Sequence, residues 1–111
     1  MMNRVRDWVH SRRTKCIHRL VQEIALCQQK IYEISEQLND YHTEHDILTY
    51  MLHNGETSHD DLIRLIVVSD EITHLPFQQE VYKDNIHMIQ KRLRHIKGTD
   101  PLLFDECGLY G

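Results

Sequence analysis

Apolar positions recur along this chain in steps of three and four, in two long runs. The first is Ile17, Leu20, Ile24, Cys27, Ile31, Ile34, Leu38, Tyr41, His45, Leu48 and Leu52. The second is Leu65, Val68, Ile72, Leu75, Gln79, Tyr82, Ile86, Ile89, Leu93 and Ile96. The runs are mirror images: Ile17 matches Ile96, Ile24 matches Ile89 and Leu48 matches Leu65, each pair of numbers adding to 113. A repeat of about 3.5 residues keeps one stripe of an α-helix against a partner helix. The mirror centre lies between Glu56 and Thr57, just after Asn54-Gly55, a turn signal. The pattern predicts an all-α protein, a two-helix antiparallel coiled-coil hairpin in residues 1–97. Its arms cover about 4–53 and 58–97, its turn 54–57, and an irregular tail 98–111 follows.

Local signals sharpen the boundaries. Ser58 with Asp61 three residues later forms a capping-box pattern at the start of the second arm. Gly98 followed by Pro101 stops that arm. An arm of about 36 residues would span roughly 54 Å at 1.5 Å per residue. Pro76 costs about 3 kcal/mol inside a helix, so a kink is expected near Thr73 to Leu75. The heptad register passes through Pro76 unchanged, which favours one kinked helix over two. His45 and Gln79 occupy seam positions, where a polar residue sets register; Gln79 should face Ile34.

At 111 residues there is room for one domain, and aromatics at 7% against 27% charged residues suit an extended helical protein better than a globular enzyme. A two-helix seam buries little surface, so a partner or self-association is expected to complete it. The longest apolar stretch, around Ile66-Val67-Val68, is far short of the ~18 residues of a membrane span. The N-terminal stretch has no signal-peptide core. Cys16, Cys27 and Cys107 are odd in number and lack CxxC spacing, which points to a reducing cytosol with Cys27 as a small seam residue.

The net charge of −4 conceals an uneven distribution. Residues 1–19 and 91–111 carry ten Lys or Arg against four acids; residues 20–90 carry Lys30, Arg64 and Lys83 against thirteen acids. Folded as a hairpin, the chain would have a basic end near +6 and an acidic shaft and tip near −10. Such a distribution orients encounters with charged partners, although a solvated helical surface with chance clustering would look the same.

Candidate chemistry is sparse. Nine histidines include His42 and His45 at i, i+3, but zinc needs about four converging ligands and no spacing supplies them. No metal site or cofactor is expected. His18 and His95 mirror each other, so their protonation could loosen the basic end. There is no Gly-rich phosphate loop and no nucleophile with a base, so catalysis is not expected. Nucleic acid is disfavoured too. Arg4, Arg6, Arg12 and Arg13 surround Trp8, but the acidic shaft would repel phosphate and no reading motif is present. Val5, Trp8 and Val9, with Leu102, Leu103 and Phe104 of the tail, make better protein-interface candidates beside a basic rim.

A short basic-ended coiled-coil hairpin resembles the stalk proteins of type III secretion systems. These include the flagellar FliJ-like proteins and the virulence-system group of surface-presentation-of-antigens M proteins. Local similarity to that last group lies in Arg12-Arg13 through His18, and in Asn54, Ser58, Asp60, Asp61, Leu62 and Leu65. The resemblance in shape covers about residues 5 to 97. It implies a non-catalytic cytoplasmic component, peripheral to the membrane-embedded apparatus. There it would link a hexameric export ATPase to the export gate and escort secretion chaperones. Carried over, Arg4, Arg6, Arg12, Arg13, Lys15, Arg19, Arg92, Arg94 and Lys97 would contact the ATPase pore. The tip around Asp46, Glu56, Asp60 and Asp61 would remain for another partner. The early stop at Gly98 and the presence of Pro76 depart from that pattern. Two other readings stand beside it: a small helical secretion chaperone or adaptor that dimerises by coiled-coil packing, and a nucleic-acid-binding regulator using the basic end.

Overall fold

The computed structural model describes the backbone of residues 2–98 and the side chains of residue 8 and residues 10–96. Two helices account for it: α1, Met2–His53, and α2, His59–Gly98, with no strand among the described residues. The all-α reading of the seam is thus correct. The tail residues Leu102, Leu103 and Phe104 lie outside the described residues.

The connection is built by two local motifs. At the end of α1, Glu56 N donates to Met51 O at 2.9 Å and Gly55 N to Leu52 O at 3.2 Å. This crossed pair closes a helix when the residue after the last turn is left-handed, and Gly55 sits there at φ 69°. Glycine has no Cβ to clash in that conformation. At the start of α2, Asp61 N donates to Ser58 Oγ at 3.2 Å while Ser58 N donates to Asp61 Oδ2 at 3.0 Å. The reciprocal bonds satisfy two groups that a helix start leaves bare, and Asp60 and Asp61 add favourable charge in the first turn.

α2 continues through Pro76 as a single helix. Proline lacks the N–H that would bond the Ile72 carbonyl, but Pro76 is exposed, so water can serve the freed group. Three residues earlier, the Thr73 hydroxyl donates to Ser69 O at 3.0 Å.

The chain divides into two compact units, one of residues up to Gln28 with those from Asp84 onward, the other Gln29–Lys83. In the first, which we call the basic unit, Cys16, Leu20, Ile89 and Ile96 form a buried cluster joined by Ile17, Ile24 and Leu93. These residues come from the mirrored layers that pair Ile17 with Ile96, Leu20 with Leu93 and Ile24 with Ile89. Cys16, off the predicted seam, is wholly buried. It is also disulfide-bonded, whereas Cys27 is a half-buried free thiol. Cys16 thus departs from the expectation that the cysteines are reduced.

In the second, the acidic unit, Ile34, Leu48, Val68 and Leu75 are buried. Gln79 reaches across from α2, donating through Nε2 to Ile31 O at 3.0 Å and to Ser35 Oγ at 2.8 Å. These acceptors flank Ile34, so the predicted polar register residue makes cross-helix bonds at its expected layer. Leu52 departs from the seam reading: it is 43% exposed. Its mirror position is Asp61, whose carboxylate is engaged in the cap, so no apolar partner faces it.

Candidate functional site

In the basic unit, Lys and Arg residues surround a small apolar surface. Among its described side chains it holds Arg12, Arg13, Lys15, Arg19, Lys91, Arg92 and Arg94 against only Glu23 and Asp84. Lys15, Lys91, Arg92 and Arg94 are exposed and have no ion-pair partner among the described residues. Arg19 pairs with Glu23 one turn later on α1 at 3.5 Å. The Arg12 guanidinium lies 5.1 Å from the centre of the Trp8 ring, within cation–π range. Arg4, Arg6 and Lys97 are in helical backbone, but their side chains, with those of Val5 and Val9, lie outside the described set.

Arg13 differs from its neighbours. Its Nη2 donates to Ile96 O at 2.9 Å, 83 positions away in sequence. Ile96 lies in the last turn of α2, where carbonyls lack intrahelical donors and the helix dipole favours positive charge. Arg13 thus caps α2 from α1, and its buried Nε has no hydrogen-bond partner among the described residues. Position 13 is one step of four before Ile17, so it continues the seam inward. Sequence reasoning grouped it with the surface cations because the seam was begun at Ile17.

Apolar residues that lay off the seam complete the surface. Leu26 and Met88 are 62% and 63% exposed, and Trp8 is 60% exposed. Leu26 and Met88 border an open groove of about 360 Å³ with Glu23, Cys27, Asn85, Ile89 and Arg92. A second shallow depression is lined by Trp8, Ser11, Arg12 and Lys15. A third is lined by Met88, Lys91, Arg92 and His95. The resulting arrangement sets apolar side chains among exposed cations, a combination suited to protein recognition.

His18 shares a 3.1 Å hydrogen bond with Gln22 on its own helix, and both His18 and His95 are exposed. Among the described residues no group of three His, Cys, Asp or Glu could hold a metal ion. No helix of the described chain is long and apolar enough to cross a membrane.

The acidic unit shows different electrostatics. Arg64 makes a two-pronged contact with Glu44: Nη2 donates to Oε2 at 2.8 Å and Nε donates to Oε1. The Arg64 guanidinium also lies 6.0 Å from the Tyr41 ring centre. Hydrogen bonding from Arg64 holds the Glu44 carboxyl below the ordinary carboxylate range, and the same bond raises Arg64. A hydrogen bond to Glu36, then that residue's charge, raises the Tyr32 phenol.

The chain matches no known family model, no curated protein and no solved structure.

Proposed function

We propose that the protein is a non-catalytic coiled-coil component of a type III secretion apparatus, with its basic unit as the surface that grips an export ATPase. One observation carries this reading. Among the described residues Lys15 stands beside Trp8, and Lys91 and Arg92 beside Met88, all three cations exposed and without an ion-pair partner. Unpaired cations around an apolar centre lose little on binding an acidic, partly apolar surface, and they steer its approach. The resemblance to secretion stalks supplies the identity of the partner and the link to the export gate.

The test is co-elution with, and stimulation of, the hexameric ATPase encoded beside the protein. The comparison chain would carry Arg12, Lys15, Arg92 and Arg94 all replaced by Glu. Arg13 is left untouched because reversing it would uncap α2. Stimulation lost in the reversed chain, with helicity unchanged by circular dichroism, supports the reading. Equal stimulation by both chains overturns it. A second reading, a helical chaperone or adaptor, draws on exposed apolar side chains such as Phe77 and Val81 outside the seam. A stable homodimer that ignores the ATPase would favour it.

A further inference from the structure

In the acidic unit, α2 is apolar on two opposite sides. Its seam side presents Leu65, Val68, Ile72 and Leu75. Helix positions about half a turn out of phase with that seam face away from it, and there stand Ile63, Ile66, Asp70, Phe77 and Val81. Ile63, Ile66, Phe77 and Val81 are 49%, 63%, 69% and 58% exposed. A helix with apolar residues all round is normally covered all round. Scattered exposed leucines are ordinary, but a second stripe at helical spacing is a surface awaiting a partner.

Charge identifies the partner. Asp70 lies within the stripe, Asp60 at its beginning and Glu80 at its margin. The unit holds only three Lys or Arg, and each is engaged by an acid of the same unit: Lys30 by Glu33, Arg64 by Glu44 and Lys83 by Glu80. The face therefore has negative charge and no free cation with which to meet an acidic partner. A second copy laid on the same face about a two-fold axis would set these acids against their own counterparts, which is unfavourable.

We propose that the outer face of α2, centred on Ile66, Asp70 and Phe77, docks an amphipathic helix of a partner protein that carries Lys or Arg beside its apolar stripe. The occupant is a cationic helix: its apolar residues cover Ile63, Ile66, Phe77 and Val81, and its cations meet Asp60 and Asp70. This surface is separate in residues and in sign of charge from the basic unit, so the proposal stands whether or not that unit binds an ATPase.

The probe is a fluorescein-labelled amphipathic peptide of Leu and Lys at heptad spacing, titrated with the full chain and followed by anisotropy. A scrambled peptide of identical composition, lacking the stripe, is the control. Binding of the patterned peptide alone, weakened at least about tenfold by Ile66→Ser with Phe77→Ser and again by Asp70→Lys, supports the proposal. These residues are exposed, and unchanged circular dichroism verifies that the variants fold. Equal binding of the scrambled peptide would reduce the face to simple charge attraction and overturn the proposal, as would binding indifferent to both variants. Sedimentation equilibrium supplies the remaining arm: a homodimer dissolved by the Ile66→Ser, Phe77→Ser chain would make the occupant a second copy, which also overturns it.

Discussion

The two units are cut from the same pair of helices yet are held together differently. The basic unit has an aliphatic cluster, Leu20, Ile89 and Ile96 around Cys16, and a polar tie from Arg13 to the end of α2. In the acidic unit, buried Ile34, Leu48, Val68 and Leu75 are interspersed with half-buried His45 and Gln79. Cross-helix polar contacts, Gln79 to Ser35 and Arg64 to Glu44, accompany them. Dispersive packing is indifferent to small slips along a seam, whereas a hydrogen bond is not. Polar crossings therefore set register in the acidic unit, and one of its three cations, Arg64, takes part, while Lys30 and Lys83 pair within their own helices. In the basic unit the aliphatic cluster carries the packing, and among the described residues Lys15, Lys91, Arg92 and Arg94 have no acidic partner. The surface chemistry of each unit follows from how its interior is built.

The largest expected effect tests whether the acidic unit depends on its buried positions despite those polar crossings. Leu75 is buried and its mirrored partner is the aliphatic Leu38, so Leu75→Asp places a carboxylate there with no cation opposite it. Leaving a charge buried and unpaired costs about 3–5 kcal/mol, a large part of the stability of a small domain. Amide hydrogen exchange should show protection lost first between residues 29 and 83. Uniform loss along the chain would show that the two units melt as one and would dissolve the comparison.

An intermediate effect is expected in the basic unit. Arg13→Met keeps the aliphatic stem but removes the donor to Ile96 O. Hydrogen bonds to charged groups contribute about 1.5–3 kcal/mol when partly buried, so the midpoint in urea should fall with an unchanged slope. Exchange should quicken in the last turn of α2 and leave amides of the acidic unit as they were. An unchanged midpoint would mean that the cap is replaced by water at no cost.

Much of this was legible because periodicity reports directly on burial. Ile17, Leu20, Ile24, Ile89, Leu93 and Ile96 were paired by number and do pack in one cluster. Ser58 and Asp61 announced their cap, and Gln79 its crossing, since each acts through bonds to near or mirrored positions. What escaped were residues whose role depends on a surface other than the seam. Arg13 looked like one more surface cation until the end of α2 was seen beside it. Leu52 looked like core because the pattern carries no information about where a facing partner gives out. Leu26, Met88 and Phe77 were passed over because a reading that seeks one stripe assigns everything else to solvent.

The smallest expected effect sharpens the electrostatic side of the comparison. Glu44 in the acidic unit is held below its ordinary range of about 4.3 by the Arg64 hydrogen bond, so the unfolded chain takes up the proton more readily than the folded one. The stabilisation from this pair is therefore fully present above the ordinary carboxylate range, and it is lost as pH falls through the folded-state value. Both side chains are partly exposed, 35% for Glu44 and 47% for Arg64, so the effect is modest and shrinks with added salt. Glu44→Gln should lower Tm slightly at pH 7, and the gap from the parent chain should close on acidification. A gap that persists in acid would assign the effect to the hydrogen-bonding difference between an amide and a protonated carboxyl instead of to charge. Arg64 would then be engaged without its charge contributing to the stability of the acidic unit.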